Sequence, residues 1–145
     1  MTKIFSLLLS SILFSAQLIA GELQTVTPEQ LLDMQQNSNA LVVDIRTEAE
    51  WQSSGVIANS HKLQSFDSQG NFDQEKWLTE LNKMKTSPDQ PVILVCRSGN
   101  RSEKVGSLLT QKLGINNIYH LEGGLQSWLK TQHPVSVNCA KIACK

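Results

Sequence analysis

The chemistry-bearing residues of this chain crowd into one run, Cys96-Arg97-Ser98-Gly99-Asn100-Arg101-Ser102. A free cysteine titrates near ~8.5, and cations or converging backbone amides lower that value, so this thiol is expected to carry a sizeable thiolate fraction at neutral pH. Cys96 is therefore the candidate nucleophile. The competing reading is a small core residue, since cysteine is among the most buried residue types. Against it, the residues from Arg97 to Ser102 contain no apolar side chain and two arginines. Their amides, including those of Gly99 and Asn100, are expected to hold an anion, with charge from Arg97 and Arg101 and hydroxyl bonds from Ser98 and Ser102.

Positioning such a thiol requires one element that ends on it and another that begins beyond it. Val92 to Val95 is a short, mostly β-branched apolar run, which predicts a buried strand. Val105, Leu108, Leu109 and Leu113 then recur at helical spacing and predict one buried helix face. Upstream, Thr27-Pro28-Glu29-Gln30 reads as a helix start with a capping box. Ala40 to Asp44 reads as a second buried strand, and Thr47 to Gln52 as a short helix capped by Thr47. Asp44, Arg46 and Glu50 are expected to pair with one another and with the turn between these elements.

Further along, Gly55 to Leu63 should hold a turn and a short strand, with His61 at the surface or hydrogen-bonded. Asp73 to Lys85 has helical spacing through Trp77, Leu78, Leu81 and Met84. Gly114 stops the helix that follows the cysteine run. Asn116 to Leu121 is the last expected strand and Leu125 to Lys130 the last helix, with Trp128 facing inward. Strands alternating with helices predict an α/β fold whose parallel sheet is covered on both faces, with sites at the carboxyl ends of strands.

The 145 residues and 40% apolar content suit one domain with one core. Residues 1–20 read as a signal peptide: Lys3, then the apolar run Ile4 to Ile19 broken only by serines and Gln17, then Ala20 and Gly21. Export, to the periplasm in a bacterial cell, is the expectation, with no membrane attachment once the peptide is cleaved. Cations and anions number 13 each, and loss of Lys3 leaves one net negative charge. No broad basic field exists to bind nucleic acid.

The run CRSGNRS resembles the active-site loop of the rhodanese domain, a sulfurtransferase module that carries sulfur as a cysteine persulfide. Three further stretches, LVVDIRTEAEW (41–51), GVIANSHKL (55–63) and IYHLEGGLQSW (118–128), are similar to other motifs of that family and occur in its order. One departs from the pattern: Val56, Ala58 and Asn59 stand where the family usually has His, Pro and Gly. The resemblance implies a parallel five-stranded sheet with helices on both faces, and a rhodanese domain over 21–132. It implies a thiosulfate sulfurtransferase in which Cys96 is the nucleophile and residues 97–102 bind substrate. Thiosulfate or a similar small donor, and cyanide or a thiol acceptor, are then the partners. Arg97 and Arg101 would meet the donor's sulfonate.

Cysteine phosphatases and arsenate reductases place a thiol before a similar loop, but with one residue more between cysteine and arginine than the four found here. A non-catalytic sulfur carrier or binding module on the same scaffold is the other alternative, although such members usually lack the cysteine. The tail, 133–145, adds Cys139 and Cys144, read as a disulfide pair. A redox relay from that pair to Cys96, or a protein thiol partner, is the competing reading. Neither a cofactor nor a metal is expected, because the tail offers only His133 beside its cysteines.

Overall fold

The computed structural model describes residues 21–136; the expected signal peptide and the Cys139–Cys144 pair lie outside the described residues. In chain order the elements are β1 (Gln24–Val26), α1 (Pro28–Asn37), β2 (Leu41–Asp44), α2 (Glu48–Ser54), β3 (Val56–Ile57) and β4 (His61–Lys62). Then come α3 (Gln74–Met84), β5 (Val92–Val95), α4 (Asn100–Ser107), β6 (Ile118–Leu121), α5 (Gly124–Lys130) and β7 (Val135–Ser136). A five-stranded sheet runs in the order β1-β6-β5-β2-β4. Every neighbouring pair in it is parallel. The expected α/β fold, a parallel five-stranded sheet between two helical layers, is the observed one.

Strand residues alternate between the two faces, and both faces are buried, which is why Leu41 to Val43 and Val92 to Val95 read as unbroken apolar runs. Leu41, Val43, Val92 and Leu94 pack with Trp77 and Leu81 of α3 and with Val105 and Leu109 beyond the cysteine run. Val42, Ile93 and Val95 face the other way, against Leu31 of α1 and Leu125 and Trp128 of α5. Each fully buried side chain of this size contributes roughly 1.5–3 kcal/mol. The sheet is thereby fixed as a rigid platform beneath Cys96.

Both expected helix caps form. Thr27 and Gln30 make a reciprocal capping box on α1, and Thr47 and Glu50 make one on α2. The turn in which Asn59 replaces the family's glycine also forms: Asn59 takes a left-handed φ of 59°, and the Ser60 amide donates to the Ile57 carbonyl at 3.1 Å. Asparagine tolerates that region better than other non-glycine residues.

Three features depart from the expected pattern. The helix after Cys96 begins at Asn100, so the true loop is only Arg97 to Gly99. That helix passes at Leu108 into a π-helical turn, Leu108–Lys112. The Leu113 amide bonds back to the Leu108 carbonyl at 3.2 Å, and the wider turn rotates Leu113 off the buried face, leaving it 39% exposed. Finally, β1 and the β3–β7 antiparallel pair were not expected. β7 lies in the first part of the segment read as a tail, where Pro134 accepts a 3.0 Å hydrogen bond from Trp128 Nε1 and His133 stacks 4.5 Å from the Trp128 ring.

Candidate active site

β5 occupies the middle of the sheet and ends at Val95, so Cys96 projects from its carboxyl end. The side chain is only 1% exposed. Gly99 then takes a φ of 96°, a left-handed conformation that turns the chain directly into α4. No side chain caps that helix. Its first amides meet the sulfur instead: the Gly99 N–H donates to Cys96 Sγ at 3.1 Å and the Ser102 N–H at 3.4 Å. Ser102 Oγ lies 3.4 Å from the same sulfur. A negative charge on Sγ would therefore sit at the positive end of a helix dipole with two amide donors aimed at it.

α5 clamps the loop from the other side. The Leu125 amide donates to the Cys96 carbonyl at 2.7 Å and the Gln126 amide to the Arg97 carbonyl at 3.0 Å. Gly124, with a φ of 58°, makes this approach possible. A Cβ there would collide with the Cys96 carbonyl oxygen and would lie 2.7 Å from the Ser98 nitrogen. Gly124 is thus a steric requirement of the cysteine loop.

The two arginines of the run diverge. Arg97 is exposed and lines a cavity of about 370 Å³ with Arg46, Glu50, Ser53, Leu125 and Leu129. Arg101 turns toward α2, where its Nη1 and Nη2 donate to Glu50 Oε2 at 2.9 Å and Oε1 at 2.6 Å. This bidentate contact is the main reason the Glu50 carboxyl is lowered from an ordinary 4.5 to about 2, and it raises Arg101 in turn. Ser98 and Asn100 are exposed, whereas Gly99 and Ser102 are buried beneath the sulfur.

The charged group expected of Asp44, Arg46 and Glu50 is accordingly divided. Arg46 Nε contacts both Asp44 oxygens, at 2.9 and 3.0 Å, and Nη2 adds a 2.7 Å bond. Its remaining donors reach the C-terminal end of α2, at Ser54 Oγ (2.7 Å) and the Gly55 carbonyl (2.6 Å). Glu50 offers Arg46 only its backbone carbonyl, at 3.3 Å. Asp44, expected to pair within this group, has its carboxylate held by Arg46 alone among the described residues, through the arginine's side chain and its backbone amide.

Two contributors were missed in the sequence. Glu50 was assigned to the wrong arginine because its partner lies 51 residues away. His120 was passed over inside its motif, yet its Nδ1 lies 3.5 Å from Ser102 Oγ. A usable signal existed: His120 falls near the carboxyl end of the last expected strand, where side chains of a parallel sheet gather.

A parallel sheet with helices on both faces and a buried cysteine between its central strand and a helix start defines an α/β domain built around a cysteine loop. The chain belongs to the rhodanese-like domain family, whose match spans residues 27–131. It is 28% identical over 112 residues to the thiosulfate sulfurtransferase GlpE of Glaesserella parasuis, covering 77% of this chain and 92% of that protein. A crystal structure of an M. tuberculosis protein superposes with a TM-score of 0.63 at 27% identity, over 79% of this chain and 98% of the other. The polysulfide-sulfur transferase homodimer of Wolinella succinogenes shares the fold at a TM-score of 0.61 and 23% identity, over 91% and 93% of the two chains.

Proposed function

We propose that the protein is a sulfurtransferase that carries sulfur as a persulfide on Cys96, with thiosulfate or a similar small anion as donor and cyanide or a thiol as acceptor. The convergence of the Gly99 and Ser102 amides on Cys96 Sγ carries this reading. The thiolate attacks the outer sulfur of the donor, a bond forms from Sγ to that sulfur, and the donor's own S–S bond breaks with sulfite leaving on the electron pair. An acceptor nucleophile then attacks the outer persulfide sulfur, and Cys96 departs as the thiolate. Similarity to a thiosulfate sulfurtransferase supports the donor class.

Arg97, exposed and beside a cavity, is the residue we assign to the donor's sulfonate. Arg101 has its fork occupied by Glu50 and serves to hold α2 against the start of α4. That occupancy also speaks against phosphoryl transfer, which needs an arginine directed at the group on sulfur. The apolar segment at 4–19 supports export to the periplasm as the place of action.

Intact mass measured before and after thiosulfate, and again after cyanide, tests the reaction. A gain of about 32 Da that cyanide removes and that Cys96→Ala abolishes is the expected result. A gain that persists in Cys96→Ala would refute the covalent mechanism, and no gain with thiosulfate or polysulfide would refute sulfur transfer.

A further inference from the structure

The polar contacts of Cys96 continue past the loop. Ser102 Oγ, 3.4 Å from Sγ, donates to the Gly99 carbonyl at 2.9 Å and lies 3.5 Å from His120 Nδ1. On the far side of the imidazole, Nε2 is 3.1 Å from Thr25 Oγ1. Sulfur, serine and imidazole are buried, while Thr25 is exposed on the edge strand β1. One file of polar atoms thus runs from the sulfur, across the carboxyl ends of β5, β6 and β1, to the surface.

Burial pushes the His120 pKa down from its ordinary value, which favours the neutral ring. A neutral imidazole donates from one nitrogen and accepts at the other. With the proton on Nδ1, the Thr25 hydroxyl donates to Nε2 and Nδ1–H donates to Ser102 Oγ. The single Ser102 proton is then shared between two acceptors, the Gly99 carbonyl and the sulfur. An anionic sulfur draws it away from the carbonyl, because a charge-assisted bond is the stronger, and each donor in such a file polarises the next.

We propose that His120 is a positioning residue for the Cys96 thiolate, acting through Ser102: it turns that hydroxyl into a third donor to sulfur beside the Gly99 and Ser102 amides. Thr25, on β1, supports the Nδ1–H tautomer because its hydroxyl can donate to Nε2. Acting on the ring are the charges of Glu103 of α4 and Glu122 beyond β6 and the Gly99 backbone, all favouring its protonation and all outweighed by burial. On the sulfur's side the charge acting is that of Arg101, itself paired with Glu50.

The inference rests on Cys96 being the nucleophile, and its test requires no sulfur transfer, so it fails or stands separately from the choice of substrate. Alkylation of Cys96 by iodoacetamide, followed across pH in the full chain by the mass of the peptide that contains Cys96, reads the thiolate fraction directly. Ser102→Ala should raise the midpoint of that profile and slow alkylation at neutral pH by roughly three- to tenfold. His120→Leu should give part of the same shift, His120→Asn should restore most of it by donating from near the Nδ1 position, and His120→Leu should add nothing in the Ser102→Ala background. Thr25→Val, a near-isosteric change on an exposed edge, should give a smaller shift in the same direction and serves even if His120→Leu does not fold. A midpoint unmoved in Thr25→Val and in whichever His120 variants fold overturns the proposal, as does a His120→Leu shift that persists without the Ser102 hydroxyl.

Discussion

Two arginines in this molecule each grip a carboxylate with a bidentate fork, and they do opposite things. Arg46 and Asp44 are both 1% exposed, and the arginine's spare donors are used up on the end of α2. Arg101 and Glu50 are 31% and 26% exposed, in reach of solvent beside the cysteine loop. The first pair is a fixed part of the frame, because either charge alone would be stranded in the interior. The second can be opened at small cost, since water can solvate both partners. The same side-chain chemistry therefore gives an immobile strut in one place and an adjustable brace in the other.

Breaking the strut should have the largest effect. Arg46→Ala leaves Asp44 buried without its partner, and unfolding in urea should show a loss of about 3–5 kcal/mol. A loss below about 1 kcal/mol would mean that the two pairs are equivalent after all. Arg97→Ala touches neither pair and should leave stability alone while raising KM for thiosulfate roughly tenfold, the value of one charge-assisted contact. Glu50→Gln opens the brace. After allowance for solvent screening it should cost about 0.5–1 kcal/mol, and KM should fall if the released Arg101 can then reach the anion.

The smallest effect concerns acid. The folded-state value for Glu50 is lowered to about 2 from an ordinary 4.5. Its contribution is complete above the ordinary value and disappears as pH falls through the lower one. Melting temperatures of the natural protein and Glu50→Gln should therefore differ at neutral pH and converge between about pH 4.5 and pH 2. A constant difference across that range would show that the brace acts through packing and not through charge.

Local signals carried much of this structure. Thr27 and Thr47 announced their helices because a cap needs only the next three residues, and Val92 to Val95 announced a central strand because both its faces are covered. Cys96 was legible as a strand-end thiol for the same reason. What escaped was set by topology. Gln24 to Val26 is too short to show alternation and becomes a strand only because β6 offers a free edge. The π-helical turn breaks a periodicity that the leucines themselves keep. Glu50, the partner of Arg101, and His120, beside Ser102, lie in other elements, so spacing within the run could not name them.

The pairing of β1 with β6 has a consequence for how the domain comes to be folded. The two ends of the Thr25–His120 hydrogen bond are 95 residues apart in the chain. In folding, the first strand stays unpaired until β6 joins it, and closing so long a loop is entropically late. The order β1-β6-β5-β2-β4 places at one edge the strand whose Thr25 meets His120, and through it Ser102 beside the sulfur. A chain lacking β6 would keep the local signals of its caps and still leave its outermost strand unpaired, so the thiol's surroundings mature late in folding.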